Sequence, residues 1–301
     1  MYDNGYAVAV GVFDGVHIGH MAVIESAVAL EKEGLVPAAF TFSMSGSPKT
    51  GGMLISDGLK REYLMRAGIK RIESPDFHEF ASMDGESFVR ETLVGGMSAR
   101  AVCCGGDFRF GCGRSCGIAE LRDICARSGV KLYVAPEVTD GGEPVSSSRI
   151  RAAIAAGDIE TANRLLGRRY EFELEVRHGR RLAGRLGFPT INQLWPERFV
   201  TPRFGVYASR AHIGGESFAA VTNIGVKPTV VEDGGEGVLA ETYIEGFSGD
   251  LYGSRVRVEL YGFMRPERRF DSIDELKAQI MRDAADAERM AEEERLKIKK
   301  V

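Results

Sequence analysis

Two histidines three residues apart, His17 and His20, lie in the run Gly11-Val12-Phe13-Asp14-Gly15-Val16-His17-Ile18-Gly19-His20. An apolar strand pattern, Tyr6 to Val12, precedes them and a helical pattern, Gly19 to Glu33, follows, so they fall where a helix begins. Rings at that spacing share one face of the first turn, beside backbone N–H groups without intrahelical acceptors and at the positive end of the helix dipole. Phosphate is the natural guest of such a place. Nucleotidyl transfer needs placement and charge stabilisation at the α-phosphate more than a protein nucleophile, and two imidazole N–H donors supply the second. Gly15 and Gly19 let backbone approach a nucleotide closely. A lone H-x-x-H also reads as a surface pair or half of a metal site; the strand, the glycines and the helix start together favour phosphate.

A second set lies in the run Gly179-Arg180-Arg181-Leu182-Ala183-Gly184-Arg185-Leu186-Gly187-Phe188-Pro189-Thr190-Ile191-Asn192. Its glycines and arginines suit a polyphosphate, read as a loop, and the spacing is not that of a Walker A loop. Thr190 and Asn192 offer two neutral oxygens to a hard cation, and magnesium, which keeps its waters and prefers phosphate oxygens, needs few protein ligands when ATP supplies the rest. Arg151, at the start of a helix opposite the histidines, could bind a departing pyrophosphate bidentately, or be an ordinary exposed arginine. Ser146 to Ser148 cap that helix in either case.

These residues need two different scaffolds. From residue 6 to about 135, apolar strands near 6–12, 38–42, 69–73, 99–103 and 130–134 alternate with helical stretches such as 84–93 and 118–128, which predicts a parallel, doubly wound sheet with ligands beyond the strands' carboxyl ends. Two short helices follow between Ser147 and Leu166, with Gly157 as a left-handed stop and Asp158 as the next cap. After a boundary at Gly167, strand runs at 172–176, 205–213, 217–223, 239–245 and 255–263, broken by glycine and proline, predict a small antiparallel barrel. A final helix opens with Ser272 and Glu275 in capping-box spacing and ends in a charged tail, Glu292 to Lys300. The domains are thus residues 1–166 and 167–301.

Composition narrows the partners. With 301 residues, 44% hydrophobic, 27% charged and a net charge of -4, the chain is an ordinary globular one without a broad nucleic-acid face. No apolar run approaches a membrane span and the start carries no signal-like pattern, so the expected address is the cytoplasm, with no membrane, nucleic-acid or protein partner implied. Cys103, Cys104, Cys112, Cys116 and Cys125 are odd in number and lack paired C-x-x-C spacing, so reduced thiols are expected.

Three separated strings, G-V-F-D-G-V-H-I-G-H, G-G-D-F-R-F-G-C-G-R-S at Gly105 to Ser115 and V-S-S-S-R-I-R at Val145 to Arg151, resemble the amino-terminal module of bacterial bifunctional riboflavin kinase/FAD synthetases. The run 179–192, Gly205-Val206-Tyr207, Asn223 to Thr229, Glu241, Leu251-Tyr252-Gly253 and Arg265 with Phe270 resemble that family's riboflavin kinase module. The resemblance implies a Rossmann-like nucleotidyltransferase domain followed by a six-stranded Greek-key barrel with a carboxy-terminal helix. It implies that riboflavin and ATP give FMN in the barrel, and that FMN and ATP then give FAD and pyrophosphate in the first domain, with Mg2+ in both steps. By the family's pattern, His17, His20, Ser147 and Arg151 hold ATP phosphates with Gly11, Phe13, Gly15 and Gly19. Asp107 and Phe108 face the flavin in the first site and Arg265 in the second. Gly179, Gly184, Arg185 and Gly187 take the kinase ATP, Thr190 and Asn192 the cation, and Glu241 is the general base for the ribityl 5′-hydroxyl. Two departures stand out: Phe42 to Pro48 holds no histidine where the family has a His-Pro pair, and Gly106 stands where an acidic residue is common. They motivate a second reading, a riboflavin kinase whose first domain does not adenylylate FMN. A third is a flavin-binding protein without activity, against which the intact Thr190, Asn192 and Glu241 speak.

Overall fold

A computed structural model describes residues 5–43, 51–178, 190–227 and 237–298. The chain divides into two compact units, Met1–Ser147 and Ser148–Val301.

In the first unit, β1 (Tyr6–Val10), α1 (Ile18–Ala29), β2 (Val36–Phe40), α2 (Asp57–Arg66), β3 (Arg71–Glu73), α3 (Gly85–Ser87), β4 (Ala99–Gly105), α4 (Ile118–Arg127) and β5 (Lys131–Ala135) alternate. The strands form a parallel sheet in the order β3-β2-β1-β4-β5. Every residue of β2 is buried, as in sheets covered on both faces, and Val8, Val10, Phe40, Val102 and Leu121 lie in the core. All five expected strands form, with ends within two residues of the expected ones. The helix expected over 84–93 widens into π turns at Phe88–Gly96, which places Phe88, Val89 and Leu93, at i, i+1 and i+5, on its buried side. The order reverses at β1, where β2 lies on one side and β4 on the other, so the switch point falls between the loops that follow β1 and β4. Beyond β5 a small hairpin pairs β6 (Thr139–Asp140) with β7 (Glu143–Pro144).

The second unit opens with α5 (Ser147–Ala156), which begins at the junction, and α6 (Ile159–Leu166), separated by Gly157 at φ +83° and capped by Asp158, whose carboxylate accepts from Thr161 N. Six antiparallel strands then close a barrel in the order β10-β11-β12-β9-β8-β13, formed by β8 (Tyr170–Arg177), β9 (Thr190–Leu194), β10 (Gly205–Ile213), β11 (Glu216–Lys227), β12 (Gly237–Ile244) and β13 (Arg255–Arg265). The out-of-sequence neighbours β9–β12 and β10–β13 are the Greek-key connections. One expectation is corrected: Thr190 and Asn192, read as loop, belong to β9, because residues 190–194 find a ladder partner in β12. The last helix, α7 (Ile273–Ile298), starts with Ser272 Oγ accepting from Glu275 N, while Glu275 reaches back to Asp271 N rather than to Ser272 N. Its Ala284, Ala287 and Met290 pack on Val206, Ala208 and Val221 of the barrel wall.

Asn163 of α6 ties that helix to the barrel: its side chain donates to Leu260 O (3.0 Å) and accepts from Tyr170 N (2.6 Å), fully inside the fold. Asn163→Ala strands both groups, and is expected to lower stability by about 3 kcal/mol. Urea unfolding should show a lower midpoint at an unchanged slope; a loss well under about 1 kcal/mol would mean that water reaches both groups.

Candidate active sites

The turn after β1 departs from ordinary backbone geometry. Phe13 (φ +51°), Gly15 (φ +88°) and Val16 (φ +41°) all lie in the left-handed region, which a β-branched residue rarely enters. Such strain costs about 1–3 kcal/mol per residue and persists only where surroundings impose it. Here Phe13 and Val16 are buried, Asp14 Oδ1 accepts from Leu54 N (3.0 Å), and the Asp14 carbonyl accepts from Ser147 Oγ (2.9 Å). Ser147, expected beside triphosphate, therefore also pins this turn. Thr41 Oγ1 adds a bond to Val12 O (2.8 Å).

The strained turn delivers the two histidines to α1. His17 is the N-cap, with extended backbone, and His20 is the third helical residue. Each caps the other: His20 N donates to His17 Nδ1 (3.3 Å) and His17 N to His20 Nδ1 (3.4 Å). The rings stack with centroids 3.5 Å apart, and the Phe13 ring meets His20 edge-on. With each Nδ1 accepting from backbone, a neutral ring carries its proton on Nε2, so the box fixes the tautomer and leaves Nε2–H as the donor. Gly19 permits this, since a side chain there would come within 3.2 Å of the His17 ring; Gly11 lies under the Phe13 ring.

Across the switch point, Asp107 is exposed just beyond β4, its carboxylate folded against Gly105, and Phe108 stacks on Phe110 with ring planes 12° apart. Phe42, Phe77 and Phe80 meet edge-on, Phe42–Phe77 at 5.2 Å and Phe42–Phe80 at 5.8 Å, and Phe40 and Phe88 link them to Phe110. An apolar wall of partly buried rings thus crosses the carboxyl ends of β2 and β4. Sequence reasoning missed Phe42, Phe77 and Phe80; the Phe-x-Phe alternation running out of β2 was a signal for Phe42 alone. Arg151 is buried one turn into α5.

In the barrel, strand register does the assembling. Glu241 of β12 stands opposite Asn192 of β9 on one side and Asn223 of β11 on the other, and Thr190 stands opposite Tyr243. Directly opposed residues, and residues two apart, share a face. Alternate positions point inward: Gln193 is fully buried, and Ser209, Thr222 and Thr242 form a buried hydroxyl chain with 2.9 Å links. Thr190, Asn192, Asn223 and Glu241 therefore form one polar row on the barrel's outer wall. Tyr243, next along that face, packs at the α7 contact. Neighbouring strands are about 4.8 Å apart, so a cation beside Asn192 and a hydroxyl beside Glu241 fit one phosphoryl group between them. Asn223 Nδ2 donates to Glu267 Oε1 (2.9 Å), a second carboxylate that sequence reading did not select.

Arg265 is engaged with α7: its Nε and Nη2 hold Asp283, at 2.6 Å for Nη2, and its Nη1 donates to Pro266 O. Phe270 lies 5.9 Å from its guanidinium carbon. Gly179, Gly184, Arg185 and Gly187 lie outside the described residues, as do positions 44–48 of the histidine-free run. All five thiols are unpaired, and burial pushes Cys103 and Cys104 up to about 12 and Cys125 to about 11.

Comparison with known proteins finds matches to both halves of the chain. An FAD synthetase family model matches residues 1–149 and a riboflavin kinase family model residues 166–291. Curated bifunctional riboflavin kinase/FMN adenylyltransferases from Pseudomonas fluorescens, Bacillus subtilis (strain 168) and Escherichia coli (strain K12) are 34%, 33% and 32% identical to it. The alignments cover 96%, 93% and 93% of this chain and 94%, 90% and 91% of the relatives. A crystal structure from Streptococcus pneumoniae, whose title describes a macrolide-efflux protein, superposes with a TM-score of 0.81 at 29% identity over 93% of each chain.

Proposed function

This chain belongs to the family of bifunctional riboflavin kinase/FMN adenylyltransferases, and from that membership we infer an enzyme of two successive ATP-dependent transfers. Riboflavin is phosphorylated to FMN with release of ADP, and FMN is adenylylated to FAD with release of pyrophosphate. The observation that supports the reading is that each half holds groups suited to one step: paired imidazoles and a phenylalanine wall flanking the β1/β4 switch point, and a carboxylate in register with two amides on the barrel wall.

In the first unit we assign His17 and His20 to the phosphates of ATP. Their Nε2–H donors meet charge that builds on the α-phosphate as the FMN phosphate attacks it in line, and the fixed tautomer means that little reorganisation is needed at that moment. The rings of Phe42, Phe77, Phe80 and Phe108 suit the isoalloxazine, which needs an apolar slot, with Asp107 at its edge. Arg151 and Ser147 are assigned to the pyrophosphate side, with Gly11, Phe13, Gly15 and Gly19 shaping the turn. In the second unit Glu241 takes the proton of the ribityl 5′-hydroxyl as that oxygen attacks the γ-phosphate. Gly179, Gly184, Arg185 and Gly187 are assigned to the kinase ATP, and Arg265 to holding the flavin side of the barrel through α7.

Magnesium fits the donor set of the barrel. Thr190 and Asn192 provide neutral oxygens on one face of one strand, too few to hold a cation alone and adequate for one that arrives on ATP. When bound, Mg2+ offsets the phosphate charge that repels the attacking oxygen. Unpaired cysteines and a need for ATP support a cytoplasmic address, and among the described residues no helix is long and apolar enough to cross a membrane. We keep the functional boundary at Gly167, whose φ of +72° ends α6, next to the start of the riboflavin kinase match at 166; the compact units divide earlier, between Ser147 and Ser148.

The test is a chromatographic product assay of the full chain with ATP and magnesium, started from riboflavin and separately from FMN. FAD from both starts is the expected result. FMN from riboflavin with no FAD from either would leave a kinase alone, and no product would overturn both activities.

A further inference from the structure

Lys60 is 2% exposed, a degree of burial that lysine tolerates only with partners. It projects from the second turn of α2 to the carboxyl end of β2, where its ammonium donates to the Phe42 carbonyl and lies 3.2 Å from Asp57 Oδ1. The other oxygen of Asp57 accepts from Ser43 Oγ (2.9 Å). Backbone bonds from Thr41 N to Glu73 O and from Ser43 N to Pro75 O, with Thr41 Oγ1 on Val12 O, hold the flanking residues. Thr41, Phe42 and Ser43 are thereby tied at once to the histidine turn, to the residues after β3 and to α2, with the buried cation as the link to α2. Neither transfer step uses this cation.

We propose that Lys60 is a positioning residue for FMN in adenylylation: through the Phe42 carbonyl and the Asp57–Ser43 link it sets the angle at which the Phe42 ring joins the aromatic wall. The Phe42 ring is the junction of that wall, meeting Phe40, Phe77 and Phe80. Rotation of its backbone would open the slot at its centre; the histidine turn, linked to Thr41 through Val12 O, keeps its own capping box and its bonds to Leu54 and Ser147. Burial lowers the pKa of the ammonium, and Asp57 and Asp14 act against that shift. The proposal rests on the adenylyltransferase reading of the first unit.

Lys60→Met keeps the length of the side chain and removes its charge. In the full chain it is expected to raise KM for FMN in FAD formation about tenfold, the worth of one charge-assisted hydrogen bond, with a smaller change in kcat. Riboflavin phosphorylation by the same sample serves as the folding control and is expected to stay within about twofold, since that machinery is assigned to the other compact unit. Because the single variant also takes the cation away from the half-exposed Asp57 carboxylate, Asp57→Asn/Lys60→Met is measured beside it. Removing both charges is expected to leave KM for FMN raised, because the Phe42 carbonyl still lacks its charged donor. A KM that recovers in the double variant would reduce Lys60 to a structural residue and overturn the proposal, as would an unchanged KM in both variants. Absence of FAD from the parent enzyme itself would overturn the adenylyltransferase reading and this proposal together.

Discussion

Replacing either His17 or His20 by alanine is expected to lower the rate of FAD formation from FMN about 10²- to 10³-fold, the usual cost of removing one preorganised donor from developing charge. Riboflavin phosphorylation should be unaffected. Alanine at 17 also removes a helix cap worth about 1 kcal/mol, so a lost rate alone would not separate chemistry from structure. His17→Asn separates them. Asparagine is among the best N-cap residues and can accept from His20 N as His17 Nδ1 does, yet it has no imidazole N–H to offer phosphate. The thermal midpoint should stay near that of the parent while FAD formation falls as far as in the alanine variant. An Asn variant that makes FAD at the parental rate would leave the stacked histidines as caps and nothing more.

Glu241→Gln is expected to lower kcat for riboflavin phosphorylation about 10²- to 10⁴-fold, the range for loss of a general base, with KM for ATP little changed. The substitution suits its surroundings, because both registered neighbours, Asn192 and Asn223, already carry amides and a third introduces no unpaired charge. FAD formation from added FMN by the same sample should continue at the parental rate. Equal kinase rates in Glu241→Gln and the parent would remove the base from the mechanism, and the neighbouring carboxylate Glu267, held by Asn223, would be the group to examine next.

The two halves were legible to different depths. Alternation of strands and helices over 6–135 was sufficient for the parallel sheet, because central strands covered on both faces must be apolar throughout, as β2 is. Strand runs separated by glycine and proline were sufficient for a barrel, but not for the place of Thr190 and Asn192, which read as loop. Their strand exists because β12 offers a ladder, and a ladder is a long-range partner that no local pattern announces. Glu241 illustrates the same limit. Alternation along β12 separates Glu241 from Thr242 by face, yet only pairing across three strands puts Asn192, Glu241 and Asn223 side by side.

By itself the sequence determined the residue types that bear the chemistry and their local setting: two imidazoles at a helix start, oxygen donors two apart, and the period-2 and helical patterns that divide the chain into a doubly wound half and a barrel half. Those properties depend on neighbours within a few residues, where spacing and propensity act directly. Tertiary structure decided what depends on contacts between distant segments. Pairing of β1 with β4 brings the histidine turn and the Asp107 loop to one switch point, closure of the barrel aligns the polar row, and the Phe42 carbonyl beyond β2 receives the buried Lys60 of α2. It also turned His17 and His20 from two donors on one helical face into a mutually capped stack with a fixed tautomer, because burial holds Phe13 and Val16 at backbone angles that these residues would not adopt alone.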